Sequence, residues 1–195
     1  MNKTIFLLLL LVACSGPVKQ PPAAKPEPVR HDAAFNGAVD STLAAYYDLS
    51  EAFVNWDSLR VQTAAGALQQ HIGRLATEVV PHQKDPPAAE TAPLLNKVDG
   101  GLEQMRNVTG ITAQRHAFSE VTKNFFAFLT ATKYNAHNVY YQACPMAFND
   151  QDSGFWLSKV SDVRNPYLGL HHPTYGKGMI GCGDTEDSLG TNARK

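Results

Sequence analysis

Apolar positions recur at helical spacing through the middle of the chain. Val39, Leu43, Tyr46, Tyr47, Ser50, Phe53 and Val54 share one face and predict a helix over residues 36–56. A second stripe of Val61, Ala64, Ala65, Leu68, Ile72, Leu75, Ala76 and Val79 predicts another helix, with Asp57 as its N-cap and Pro81 as its stop. Residues 82–91 are rich in proline and polar side chains and read as a loop. Leu94, Leu95, Val98, Leu102 and Met105 predict a third helix, which Gly100-Gly101 weakens and Gly110 closes. A fourth, over 112–132, turns Phe118, Val121, Phe125, Phe128 and Leu129 inward. Four amphipathic segments with short connections predict an antiparallel helical bundle.

Beyond residue 133 the pattern changes. Val139-Tyr140-Tyr141-Gln142-Ala143 and Gly154-Phe155-Trp156-Leu157-Ser158-Lys159-Val160 are aromatic and β-branched, and residues 149–153 between them are turn formers. That combination predicts a β-hairpin. Asn165-Pro166-Tyr167 and Gly169 predict a further turn, followed by a Gly-, His- and Pro-rich loop as far as Cys182. The expected fold is therefore mainly α: an antiparallel four-helix bundle over 34–133 with a small C-terminal β-hairpin and loop subdomain over 134–195, the two forming one domain.

The N-terminus follows a different grammar. Lys3 precedes an apolar run from Ile5 to Val12, which ends in Leu11-Val12-Ala13-Cys14. The run is too short to cross a bilayer, which takes about 20 residues, and it suits the apolar core of a secretory signal. The residues before Cys14 look like a lipobox. The expectation is a lipoprotein signal peptide over 1–13, cleavage before Cys14, and lipid on that cysteine. Acyl chains on one residue would anchor the chain to a membrane, since each buried methylene contributes about 0.8 kcal/mol. Pro17, Pro21, Pro22, Pro26 and Pro28 then mark residues 14–33 as the lipidated cysteine and an extended tether. The expected location is the cell envelope, on the periplasmic side of the outer membrane.

Charge narrows the partners. Seventeen Lys and Arg stand against 18 Asp and Glu, a formal net charge of −1 with no basic run, so nothing points to nucleic acid. The chain lacks Gly-x-Ser-x-Gly, His-Glu-x-x-His, a phosphate-cradling glycine loop and Cys-x-x-Cys, so no enzyme is expected. His71 and His116 lie on helices with no second ligand at i+3 or i+4 and read as solvated or capping side chains.

Residues capable of site chemistry concentrate after residue 139. Cys144-Pro145-Met146 ends one strand, and Met179-Ile180-Gly181-Cys182-Gly183 lies in the terminal loop. Two thiols and two thioethers form a soft donor set that favours Cu(I) over calcium or magnesium. With Cys14 acylated, Cys144 and Cys182 are also the two cysteines left in an oxidising compartment, where a structural disulfide is the other reading. Such a disulfide would close a loop of about 40 residues and add about 3–4 kcal/mol in the chain-entropy model. It would make the domain a scaffold for protein contacts, and it does not need Met146 or Met179.

These stretches carry a resemblance. Residues 140–147, Trp156-Leu157-Ser158, Asn165-Pro166-Tyr167-Leu168-Gly169 and residues 179–183 resemble domain of unknown function family 3347 (DUF3347). That family occurs in bacterial periplasmic lipoproteins and at the C-termini of heavy-metal efflux adaptor subunits. The helical part is similar through Leu43, Tyr47, Leu49, Asp57, Ala64, Ala65, Leu68, Arg115 and Phe118. The resemblance extends over most of residues 40–183. It implies a four-helix bundle carrying a small metal-site subdomain, and an association with copper or related metals and with efflux components. One departure from the family pattern is the stretch Leu170 to Gly178, nine residues where the family has only a couple, whose His171-His172 offers imidazoles as further ligands. His137 is a weaker candidate of the same kind.

Overall fold

The computed structural model describes residues 31–148 and 151–190. The expected signal peptide, Cys14 and the tether as far as residue 30 lie outside the described residues. Helix α1 (Ala33–Val54) begins three residues before the position expected from its apolar stripe. Asp32 sets that start: its carboxylate accepts the Phe35 N–H at 2.7 Å, a cap that contributes about 1 kcal/mol. His31 stacks on Phe35 with ring centroids 4.1 Å apart, so structure already begins inside the stretch expected as tether.

Helix α2 (Ser58–Arg74) starts as expected, with the Asp57 carboxylate accepting the Arg60 N–H at 2.9 Å. Past Arg74 the chain widens into one turn over Leu75–Val79, closed by the Val80 N–H on the Leu75 carbonyl. It then tightens over Val80–His82, which holds Pro81. Helix α3 (Ala88–Asn107) starts within the expected loop of 82–91. Pro87 sits at its cap, where no N–H is needed, and Ala88-Ala89-Glu90 are strong helix formers. Gly110 opens α4 (Ile111–Ala131) instead of closing α3, which ends at Val108. With φ at +87°, Gly110 adopts a conformation that favours glycine.

Helix α1 packs on α2, α2 on α3, and α3 on α4. Phe35, Val39, Phe53, Leu68, Val98, Phe118, Phe125 and Phe128 are all fully buried between them. Among the described residues no helix is long and apolar enough to cross a membrane. Gly101, which the sequence presents as a weak point in α3, is a contact. A Cβ there would stand 2.7 Å from Val121 Cγ2 of α4, whereas a Cβ at Gly100 would meet nothing. Gly101→Ala should therefore lower stability by about 1–3 kcal/mol through overpacking. Gly100→Ala should raise it by about 0.5–1 kcal/mol. Urea midpoints of the two variants read the difference.

The C-terminal part is a three-stranded antiparallel sheet, in the order β2-β1-β3. Strands β1 (Val139–Phe148) and β2 (Asp152–Ser158) form the expected hairpin, with Gln142 opposite Trp156 and Cys144 opposite Gly154. Strand β3 (Asp184–Leu189) pairs with the other edge of β1. Its sequence, Asp-Thr-Glu-Asp-Ser-Leu, has no apolar alternation because an exposed edge strand is held through its backbone. Strand β2 packs on α4. The Tyr46 hydroxyl joins three elements, accepting the Leu157 N–H at 3.1 Å and sharing a 2.6 Å hydrogen bond with Thr122.

Candidate metal centre

Cys144 lies on β1, fully buried, at the place where the ladder with β2 becomes irregular. Pro145 follows it and cannot donate to a ladder, which is why a proline inside a central strand coincides with a bulge. Pairing with β3 reaches only to Ala143, so the strand beyond Cys144 is released from its neighbour on that side.

Cys182 arrives from the other end of the segment, at the close of a tight turn in which its N–H donates to the Met179 carbonyl at 3.0 Å. Asn165 holds this turn in place. Its N–H donates to the Ile180 carbonyl at 2.8 Å and its side-chain amide donates to the Cys182 carbonyl at 2.7 Å. The Asn165 amide oxygen meanwhile accepts the Tyr167 and Leu168 N–H groups at 2.7 and 3.0 Å, forming the turn expected from Asn-Pro-Tyr. Arg115 of α4 fixes the same turn by donating to the Pro166 carbonyl at 3.1 Å.

Gly183 completes the approach. Its φ is +132°, and a Cβ there would lie 2.6 Å from the Ala143 carbonyl and 2.7 Å from Trp156 Cη2. Only a residue without a side chain lets the loop close onto β1 at this point. The result is a pair of sulfurs 2.7 Å apart, Cys144 Sγ and Cys182 Sγ, from positions 38 residues apart in sequence. Both are free thiols. Burial, reinforced by the neighbouring Cys144, pushes the Cys182 thiol up to about 12, so Cys182 is protonated at neutral pH.

Met146 and Met179 are half-buried against the same core as Cys182. Each sits beside a cysteine through the backbone, Met146 two residues along β1 and Met179 across the tight turn. The two thiols thus converge from one strand and one turn, with a methionine in each of the two segments, and such donor types suit a soft cation.

The imidazoles do not join it. Among the described residues no group of three or more His, Cys, Asp or Glu is placed to hold an ion, so neither His171 nor His172 gathers with the cysteines. His171 is exposed. His172 spends its Nδ1 accepting the Thr174 and Tyr175 N–H groups at 3.1 and 3.2 Å, an arrangement internal to the inserted loop. His137 faces Asp40 at 3.4 Å and is 71% exposed. His116 is exposed, as expected of a solvated side chain, and one face of its ring stacks on Phe148 with centroids 3.9 Å apart.

The sequence reading missed the clamp by the Asn165 side chain and the need for glycine at 183. Asn165 was visible only as a turn former, and its second role depends on where Cys182 returns. The fold and the site together define a small helical domain with a dithiol on an attached antiparallel sheet. Residues 42–137 match the model of a family described as a protein of unknown function (DUF3347). The match covers the helices from Thr42 of α1 to the residues before β1, and the segment with Cys144 and Cys182 lies outside it. No curated protein and no solved structure matches the chain.

Proposed function

We propose that this is a periplasm-facing lipoprotein, held to a membrane by lipid on Cys14, that binds a soft heavy-metal ion, Cu(I) above others. Sequestration, sensing or delivery to an efflux system would then be its task, with heavy-metal efflux components as partners and no catalysis of its own. The helices would form an antiparallel bundle, as their short connections favour. The observation that carries the reading is the convergence of Cys144 and Cys182, each accompanied by a methionine in its own short segment. Thiolate and thioether donors select soft ions, and the two thiols must lose protons to the metal as it binds.

A second reading rests on the same 2.7 Å approach: the two sulfurs close a structural disulfide between β1 and the terminal turn. The readings exclude each other at any moment, because an oxidised pair has no thiolate to offer. Reduced protein should take up about one Cu(I) per chain and ignore calcium and magnesium. Copper uptake that is absent, or equal to that of an unrelated protein, contradicts the metal reading.

Anchoring is tested separately. The parent chain should partition into detergent with the membranes, and Cys14→Ala should leave it unprocessed or in the aqueous phase. A parent chain found in the aqueous phase with an uncut N-terminus contradicts the lipoprotein assignment.

A further inference from the structure

Arg115 is 4% exposed, deep between α4, the end of α1 and the 165–169 turn. A guanidinium so placed normally meets a carboxylate, because burying an unpaired charge is costly. Here both of its hydrogen bonds go to backbone carbonyls, from Nε to Pro166 and from Nη2 to Phe53, each at 3.1 Å. The Phe53 carbonyl belongs to the last turn of α1, where the helix dipole is negative, and this offsets part of the charge. Two carbonyl dipoles do not neutralise a full positive charge. Three of the five guanidinium N–H groups remain for another acceptor.

The guanidinium carbon lies 3.9 Å from the centroid of the Trp56 ring, so the indole covers one face of the group. Beside it is a cavity of about 140 Å³ bordered by Trp56, Thr112, Arg115, His116, Phe148 and His172, with no carboxylate in its lining. Thr112 stands in the first turn of α4, whose Gly110 cap supplies no side-chain acceptor to the free N–H groups there. His172 borders the same cavity, its Nδ1 accepting the Thr174 and Tyr175 N–H groups. Burial draws Arg115 down to about 9, consistent with a site short of negative charge.

We infer that this cavity binds a small oxyanion, a carboxylate or inorganic phosphate, with Arg115 as its principal donor and Thr112 and the imidazoles at its border. The guanidinium fork is suited to two oxygens of one anion, and the cavity volume suits a ligand of a few heavy atoms. The inference does not rest on the metal reading of the thiol pair, although Arg115 also steadies the turn that Asn165 holds against Cys182.

The test is titration of the full chain with sodium phosphate and, separately, sodium acetate, against sodium chloride at constant ionic strength. Binding is read by tryptophan fluorescence and melting temperature. A saturable response to phosphate or acetate, absent with chloride, is expected, and the stronger of the two identifies the oxyanion. Arg115→Lys keeps the charge but loses the fork, and should weaken binding at least about tenfold. Thr112→Ala and His116→Gln leave the two backbone contacts of Arg115 in place, and should each weaken binding several-fold even if the lysine variant fails to fold. The inference is overturned if neither oxyanion gives a saturable response, or if Thr112→Ala and His116→Gln bind as tightly as the parent.

Discussion

Serine at Cys144 or at Cys182 should reduce Cu(I) uptake by the reduced chain to background. Each thiolate supplies one of the two negative charges that hold the cation, and a hydroxyl stays protonated and binds copper poorly. The two variants should not behave alike in stability. Cys144 is fully buried in the core, so Cys144→Ser places a hydroxyl among apolar side chains and should cost about 1–3 kcal/mol. Cys182 is half-buried at the turn and should tolerate serine better. Under the disulfide reading the order is different. Both serine variants would then destabilise the oxidised protein by a similar amount, about 3–4 kcal/mol, and copper would be ignored by parent and variants alike. Equilibrium dialysis of copper, beside urea denaturation with and without reductant, separates the two patterns.

Phe125→Ala should cost about 3–5 kcal/mol, the range for removing a buried aromatic ring. Phe125 is fully buried in α4, and its ring lies 5.9 Å from Tyr46 and 6.4 Å from Phe128. Tyr46 is the residue that ties α1 and α4 to β2, so the loss reaches the sheet that carries Cys144. Leu59→Ala is the control: Leu59 is 77% exposed on α2, and its loss should change stability by less than about 0.5 kcal/mol. Denaturation followed by circular dichroism reads both.

The helical faces were legible because each buries a stripe at the 3.6-residue period. Val39, Leu68, Leu102 and Phe125 are inward as their spacing requires. The starts of α1 and α3 were less legible. In α1 the cap residue Asp32 stands among polar and proline-rich neighbours. In α3 the prolines at 86 and 87 signal a loop up to the residue where they become compatible with a helix start. Strand β3 was invisible because Asp184, Thr185, Glu186 and Asp187 are exposed and bury no apolar side chain. Gly101 was read through intrinsic propensity alone, and its value comes from a helix 20 residues further on.

In the candidate site, residue type was legible and position was not. Cysteine and methionine can be recognised as soft donors in any order, but nothing local says that Cys182 returns to Cys144. That closure depends on Asn165 gripping the turn and on Gly183 lying against Ala143, both contacts between distant segments. The same absence of long-range information made His171-His172 attractive as ligands. In the fold the inserted loop uses His172 for its own turn.

The methionines separate a metal centre from a disulfide most directly. Leucine at Met146 or Met179 keeps volume and apolarity and removes only the sulfur. The measurement is Cu(I) affinity of the reduced chain by competition with a chromophoric chelator, for the parent, Met146→Leu and Met179→Leu. The four-sulfur account predicts weaker binding in each variant, with the melting temperature of the metal-free protein nearly unchanged. Affinities equal to the parent in both variants would contradict it.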